Sequence, residues 1–146
     1  MARYFTIGEA ERLLPAVERA TREAIRLKAA YQEAELRLNA FLRRLSQLGG
    51  VVADREAVTA LKAKRGDSAE ALREAIQNIH EYGCEVKDLD IGLIDFRCYY
   101  HGEEVYLCWK LGEPGIAWWH GLEEGYRGRR PIDEEFLKHH RGEREP

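Results

Sequence analysis

The sequence predicts an α+β protein: a long, kinked, coiled-coil-like helical hairpin carrying a small three-stranded antiparallel β-meander. Three observations lead there. Apolar residues recur at alternating intervals of three and four through the first third of the chain, and strict two-residue alternation takes over after Gly92. The composition also changes near Gly83. Residues 1–83 hold 14 Lys/Arg, 12 Asp/Glu and five aromatics, whereas residues 84–146 hold 9, 14 and nine, with every tryptophan. The expected organisation is one domain over 1–132, with a helical hairpin at 1–83 and a meander plus C-terminal segment at 84–132. Residues 133–146 have the character of a frayed tail.

The helical part opens with a capping box. Thr6 can accept from the Glu9 amide while Glu9 reaches back to the residue-6 amide. Small or apolar residues then fall at Ala10, Leu13, Val17, Ala20, Ala24, Leu27, Tyr31, Ala34, Leu38, Phe41, Leu45 and Leu48, the seam of a coiled coil. Pro15 either kinks this helix or ends one helix and begins another. Gly49-Gly50 is the expected stop. A second helix should start near Asp54, break around Arg65-Gly66, restart on the box-like Asp67-Ser68-Ala69-Glu70, and end at Gly83. At 1.5 Å per residue the seam from Val17 to Leu48 spans about 48 Å, longer than the second helix can cover. A homodimer through the helices is therefore expected.

The meander reads to the level of register. Ile94, Phe96, Cys98 and Tyr100 alternate with Leu93, Asp95, Arg97 and Tyr99. Val105, Leu107, Trp109 and Leu111 alternate with Tyr106, Cys108 and Lys110. A Gly102-Glu103 turn would pair 100 with 105, 98 with 107 and 96 with 109, placing both apolar sets on one face. A third strand over 116–120 would turn Ile116 and Trp118 inward and Trp119 outward, with His120 on the core-facing parity.

Composition narrows function. A net charge of −3 and 45% hydrophobic residues describe a charged globular chain, with neither nucleic acid nor an anionic membrane as an expected partner. No apolar run reaches membrane-spanning length and no signal-peptide core opens the chain. Three cysteines without a CxxC pair fit a cytoplasmic setting. No cofactor is expected.

Several segments together carry a resemblance. They are Tyr4-Phe5-Thr6, Leu13-Leu14-Pro15, Glu85-Val86-Lys87-Asp88-Leu89-Asp90 with Gly92-Leu93-Ile94-Asp95-Phe96, Val105-Tyr106-Leu107-Cys108-Trp109-Lys110-Leu111-Gly112-Glu113, Trp118-Trp119-His120, and Gly125-Tyr126-Arg127-Gly128-Arg129-Arg130-Pro131-Ile132. Over residues 3–132 the chain resembles the uncharacterised bacterial family called domain of unknown function 2203. That resemblance implies a small cytoplasmic bacterial protein and no particular activity.

Candidate chemistry has a plain counterpart at each point. The outer sheet face collects Asp95, Arg97, Tyr99, Tyr106, Lys110 and Trp119, which could be a recognition surface for a protein or small ligand, or an ordinary solvated face. In the expected register Asp95 lies opposite Lys110, Arg97 opposite Cys108 and Tyr99 opposite Tyr106. His120, with Glu123, Asp90 or Asp88, could act as a base with its orienting carboxylate or bind a metal, but the spacing matches no metal motif, and a core histidine satisfied by one carboxylate has the same pattern. Arg127, Arg129 and Arg130 could hold an anion, or seal a turn onto the acidic strands. Cys98 and Cys108 fall on opposite faces and should not bridge; Cys84 ends a helix. The preferred function is a non-enzymatic oligomeric scaffold or binding module. The alternative is a small enzyme or metal-binding protein built on His120.

Overall fold

A computed structural model describes residues 2–49 and 55–144. Two long helices pack side by side, and an antiparallel sheet lies against their near ends. The first helix, α1 (Ile7–Gln47), starts where the sequence requires: the Thr6 hydroxyl accepts from the Glu9 amide at 3.2 Å, and the Glu9 carboxylate accepts from the Thr6 amide at 3.0 Å. Pro15 lies inside α1 and does not end it. It sits on the exposed side of the helix, while its neighbours Ala10, Leu14 and Val17 are buried. The packing of that face outweighs the cost of a proline inside a helix, lost bond and ring clash together, of about 3 kcal/mol.

The second helix, α2 (Arg55–Glu81), is also continuous. The expected break at Gly66 and restart at Asp67 do not occur. An exposed glycine inside a helix costs only about 1 kcal/mol, less than losing the contact of two turns with α1. The expected start near Asp54 and the role of Gly50 lie outside the described residues. Along α1, Ala34 (4% exposed) and Leu38 (1%) are buried, so the seam is covered as far as Leu38. Phe41 and Leu45 are half-buried and Leu48 is exposed. Ala34 and Leu38 stand outside the main core cluster, which takes in Ala10, Leu14, Val17 and Ala24 of α1 and Ala75 and Ile79 of α2. The distal halves of the two helices thus form an arm beyond the sheet-backed head.

The sheet has six strands, not three: β1 (Glu85–Asp88), β2 (Leu93–Tyr100), β3 (Glu103–Lys110), β4 (Trp118–Gly121), β5 (Arg130–Pro131) and β6 (His140–Arg141). The order is β1-β2-β3-β4-β5, and β6 pairs with β2. The β2–β3 turn is His101-Gly102, with φ of 51° and 78°. Two consecutive positive φ angles make the tight turn that suits strand twist, and the glycine takes its second place. The register is therefore two residues away from the expected one: Cys98 faces Val105, Phe96 faces Leu107 and Ile94 faces Trp109. A two-residue shift preserves faces, so the apolar set still points to the helices. It does change every outward pair. Asp95 faces Cys108, Arg97 faces Tyr106, Tyr99 faces Glu104, and Lys110 faces Leu93.

The third strand departs further. β4 begins at Trp118, and Trp119 lies opposite Leu107 on the core face, whereas Trp118 and His120 lie opposite Cys108 and Tyr106 on the other. The expected inward Trp118 and outward Trp119 are exchanged. Ile116 is buried as expected, but from the loop before the strand, so alternation counted from it gives the wrong parity. The partner that draws Trp119 inward comes from the tail. Residues 133–146 are not a frayed end over the described part: Asp133 caps the helix α3 (Glu134–His139), accepting from the Phe136 amide at 2.8 Å. Phe136, fully buried, stacks on Trp119 at 5.1 Å and lies 4.6 Å from Tyr100. His140 Nε2 then accepts from the Ile7 amide of α1 at 3.3 Å, while Nδ1 faces the Phe136 and Leu137 carbonyls. A Cβ on Gly142 would stand 3.1 Å from the Thr6 nitrogen, so the chain approaches the α1 cap closely there.

These contacts make the tail part of the core. Phe136→Ala should destabilise the protein by about 3–5 kcal/mol, the range for emptying a buried aromatic site. Thr6→Ala should cost about 1 kcal/mol through the lost cap. Urea unfolding measures both, and a Phe136→Ala midpoint equal to wild type would return the tail to the status of an appendage.

Candidate functional site

On the face of the sheet turned away from the helices, β2, β3 and β4 each contribute one polar or soft side chain at adjoining positions. These are Asp95 (1% exposed), Cys108 (0%) and His120 (2%). Carboxylate oxygen, sulfur and ring nitrogen all lie within 4.8 Å of one another, and no other such group of donors occurs among the described residues. The cluster is closed in by neighbours on the same face. Tyr106 (5% exposed) has its ring 5.4 Å from that of His120. Lys87 lies 4.4 Å over the Tyr106 ring and bonds Glu85, which also holds Arg97 at 2.8 Å. On the other flank Arg129 stacks over Trp118 and Tyr126, each at 5.1 Å, and donates to the Cys108 carbonyl at 3.2 Å.

The bonds of His120 define its chemistry. Nδ1 lies 2.7 Å from the Gly121 carbonyl, an acceptor, so Nδ1 carries a hydrogen. Nε2 lies 3.0 Å from Asp95 Oδ2, and a bond there needs one further proton between the two. Burial opposes the charged ring, but the Asp95 carboxylate and the Gly121 carbonyl, with Glu124 beyond, outweigh it and raise the His120 pKa above its ordinary value. Asp95 Oδ1 is buried without a hydrogen-bond partner. Burial pushes the Cys108 thiol up to about 12, so it is a poor nucleophile. Both His120 nitrogens are engaged, by Gly121 and by Asp95, and neither is directed to Cys108 as the base of a Cys–His pair would be.

The other candidates separate. Asp90 pairs with Lys28, and Asp88 accepts from the Asp90 amide at 3.0 Å. Glu123 is exposed and lines a cleft beside Tyr100 and Trp119. The structure thus joins His120 to Asp95 and not to Asp88, Asp90 or Glu123. Five residues of the expected recognition face share the outer side of the sheet, and Trp119 leaves it. Asp95 and Tyr106 are buried, Tyr99 stacks on Tyr4 at 4.4 Å, Lys110 lies 5.7 Å over Tyr126, and Trp119 is on the core side under Arg130. Of the arginines proposed for an anion, Arg129 pairs with Glu113 at 2.6 Å and Arg130 with Glu124 at 2.7 Å, leaving Arg127 exposed. They seal the turn. Cys98 and Cys108 do lie on opposite faces, and all three cysteines are free. The two-residue register difference is what brings Asp95 opposite Cys108, and the sequence signal for it is the His101-Gly102 turn, with glycine second.

The fold and site define a class: a small α+β protein with a two-helix arm, a sheet-backed head and a buried Asp–Cys–His cluster on the sheet's far face. The chain belongs to the family described as Uncharacterized conserved protein (DUF2203), whose profile matches residues 3–132. No curated protein and no solved structure matches it. No helix among the described residues is long and apolar enough to cross a membrane.

The His120 contribution to stability has a definite sign. A pKa raised by folding stabilises fully below the ordinary histidine value of about 6.5, and the gain is lost as pH climbs through the raised value. In chelator-washed protein, the wild-type advantage over His120→Gln should therefore shrink as pH rises above about 6.5 and through the raised value. Urea midpoints measure it; an advantage that grows with pH would show the ring to be buried neutral.

Proposed function

We propose that the protein is a cytoplasmic, non-enzymatic scaffold that self-associates through its helical arm. The observation that carries this reading is the apolar surface left on the distal half of α1: Leu36 is 66% exposed, Leu42 39% and Leu48 74%. Leu36, Asn39, Leu42, Arg43 and Ser46 line one shallow groove there. Isolated exposed leucines are ordinary, but Leu36 and Leu42 border one groove on the outer side of α1, and Leu48 continues the seam past the last buried residue, so a second copy of the same helix would cover apolar surface on the arm. The arm also gathers few contacts with the head's core, so a partner can bind it without disturbing the sheet. Three free, buried cysteines fit a reducing compartment. Interaction through the polar sheet face has less support, since its residues are engaged with one another. An enzyme using His120 with Glu123, Asp88 or Asp90 has less still, since His120 is buried and bonded elsewhere.

Light scattering on the eluting full chain is expected to give twice the chain mass of 16.9 kDa. Leu36→Glu with Leu42→Glu should reduce that to one chain while leaving the helical circular dichroism unchanged. A single-chain mass for the wild type across micromolar concentrations would end the proposal.

A further inference from the structure

Independently of the arm, we propose that Asp95, Cys108 and His120 bind a transition-metal ion of the Zn2+ class, supplying three of four tetrahedral positions. The donor set suits such an ion and few others. One sulfur, one imidazole nitrogen and one carboxylate are the ligand types of zinc sites, whereas Ca2+ and Mg2+ take oxygen ligands in larger number. Bonds of about 2.0–2.3 Å to a tetrahedral centre separate the ligand atoms by roughly 3.3–3.8 Å. The three donors already lie within 4.8 Å, and the carboxylate and ring nitrogen within 3.0 Å.

The bond from Nδ1 to the Gly121 carbonyl is what orients a metal-binding histidine, because it fixes the tautomer that leaves the Nε2 lone pair free. Once the shared proton leaves, that lone pair faces Asp95, whose Oδ1 is buried and unpartnered. A carboxylate, a thiol sulfur and an imidazole nitrogen therefore converge in a water-poor space with more lone pairs than hydrogens to fill them. The flanking cations are directed elsewhere: Arg129 bonds Glu113 and a backbone carbonyl, and Lys87 bonds Glu85. A divalent ion takes the place of the proton that His120 and Asp95 share, as the positive charge of the cluster. With carboxylate and thiolate bound, its two charges are balanced. Binding displaces the proton held between His120 and Asp95 and the thiol proton of Cys108, both passing to water, with no change of oxidation state. Because the cluster occupies the sheet face turned from the helices, an ion reaches it by displacing side chains of that face and leaves the helix-packed core closed.

Untagged full-length protein, stripped with a chelator and titrated with Co2+ as a spectroscopic stand-in for Zn2+, tests this directly. The expected result is one ion per chain, the visible absorption of a four-coordinate cobalt centre, and a near-ultraviolet thiolate-to-cobalt charge-transfer band that Zn2+ abolishes on displacement. Cys108→Ser should remove the charge-transfer band, whereas Cys98→Ser should keep it. His120→Gln should weaken Co2+ binding by about tenfold or more. Zn2+ should also raise the melting temperature of the stripped wild type, a readout that needs no variant to fold. Failure of the stripped wild type to take up Co2+ overturns the proposal. So does a charge-transfer band that survives in Cys108→Ser, which would place the thiolate elsewhere.

Discussion

Strand β2 is hydrogen-bonded along both edges over its whole length, and the rest of the molecule is assembled on that strand. One edge carries β3 in eight successive pairs. The other is divided among three segments from distant parts of the chain: β1 opposite residues 93–95, Phe5 donating to the Arg97 carbonyl at 2.7 Å, and β6 opposite Tyr99 and Tyr100. An unpaired strand edge invites intermolecular pairing, and this chain closes it with three of its own segments. The consequence reaches the helices. The segment that contributes Phe5 runs on into the Thr6 cap of α1, and the segment that forms β6 carries His140 to the Ile7 amide. Helix start, strand edge and tail are thereby one interlocked unit.

The two faces of β2 divide the molecule's chemistry. Inward, Ile94, Phe96 and Cys98 are fully buried against α1, with Phe5 meeting Phe96 edge-on at 5.3 Å. Outward, Asp95 is as deeply buried but in polar company. A buried carboxylate is tolerated only when something cationic or hydrogen-donating meets it. His120 meets one of its oxygens and leaves the other unserved. That imbalance is unusual in a head whose other buried polar groups are largely paired, and it separates this cluster from a structural ion pair of the ordinary kind. The surrounding aromatic and cationic side chains, Tyr106 with Lys87 on one flank and Trp118 with Arg129 on the other, exclude water and so sharpen the electrostatic demand of the site.

The helices were legible in the sequence because their signals are local. Thr6 and Glu9 are three residues apart, and the seam repeats along one continuous segment. Gly66 does not interrupt α2, because an exposed glycine weakens a helix by little when the neighbouring helix continues past it. Strand faces in β2 and β3 were also legible, since alternation survives a two-residue shift. What alternation cannot supply is the pairing. Whether Asp95 faces Lys110 or Cys108 depends on which two residues turn the hairpin, and histidine takes the left-handed position that a glycine-first reading denies it. Trp119 depended on Phe136, seventeen positions later in a segment with no strong apolar period. The two short strands β5 and β6 have no sequence signal at two residues each. Their register is imposed by β4 and β2.

α1 is the element that head and arm have in common, and its length sets their relation. Its 41 residues span about 60 Å at 1.5 Å per residue. The first part of that length is held to the sheet by Ala10, Leu14, Val17 and Ala24, all buried, and among the described residues the distal part packs on α2, with Ala34 and Leu38 buried. A partner gripping the arm therefore acts on a lever whose other end caps onto the tail and faces β2. Pro15 lies in that lever, on its exposed side, within the sheet-packed half. It removes the hydrogen bond to the Glu11 carbonyl where the sheet, and not the helix alone, maintains the axis, so the weakest point of the α1 backbone falls where tertiary packing is strongest.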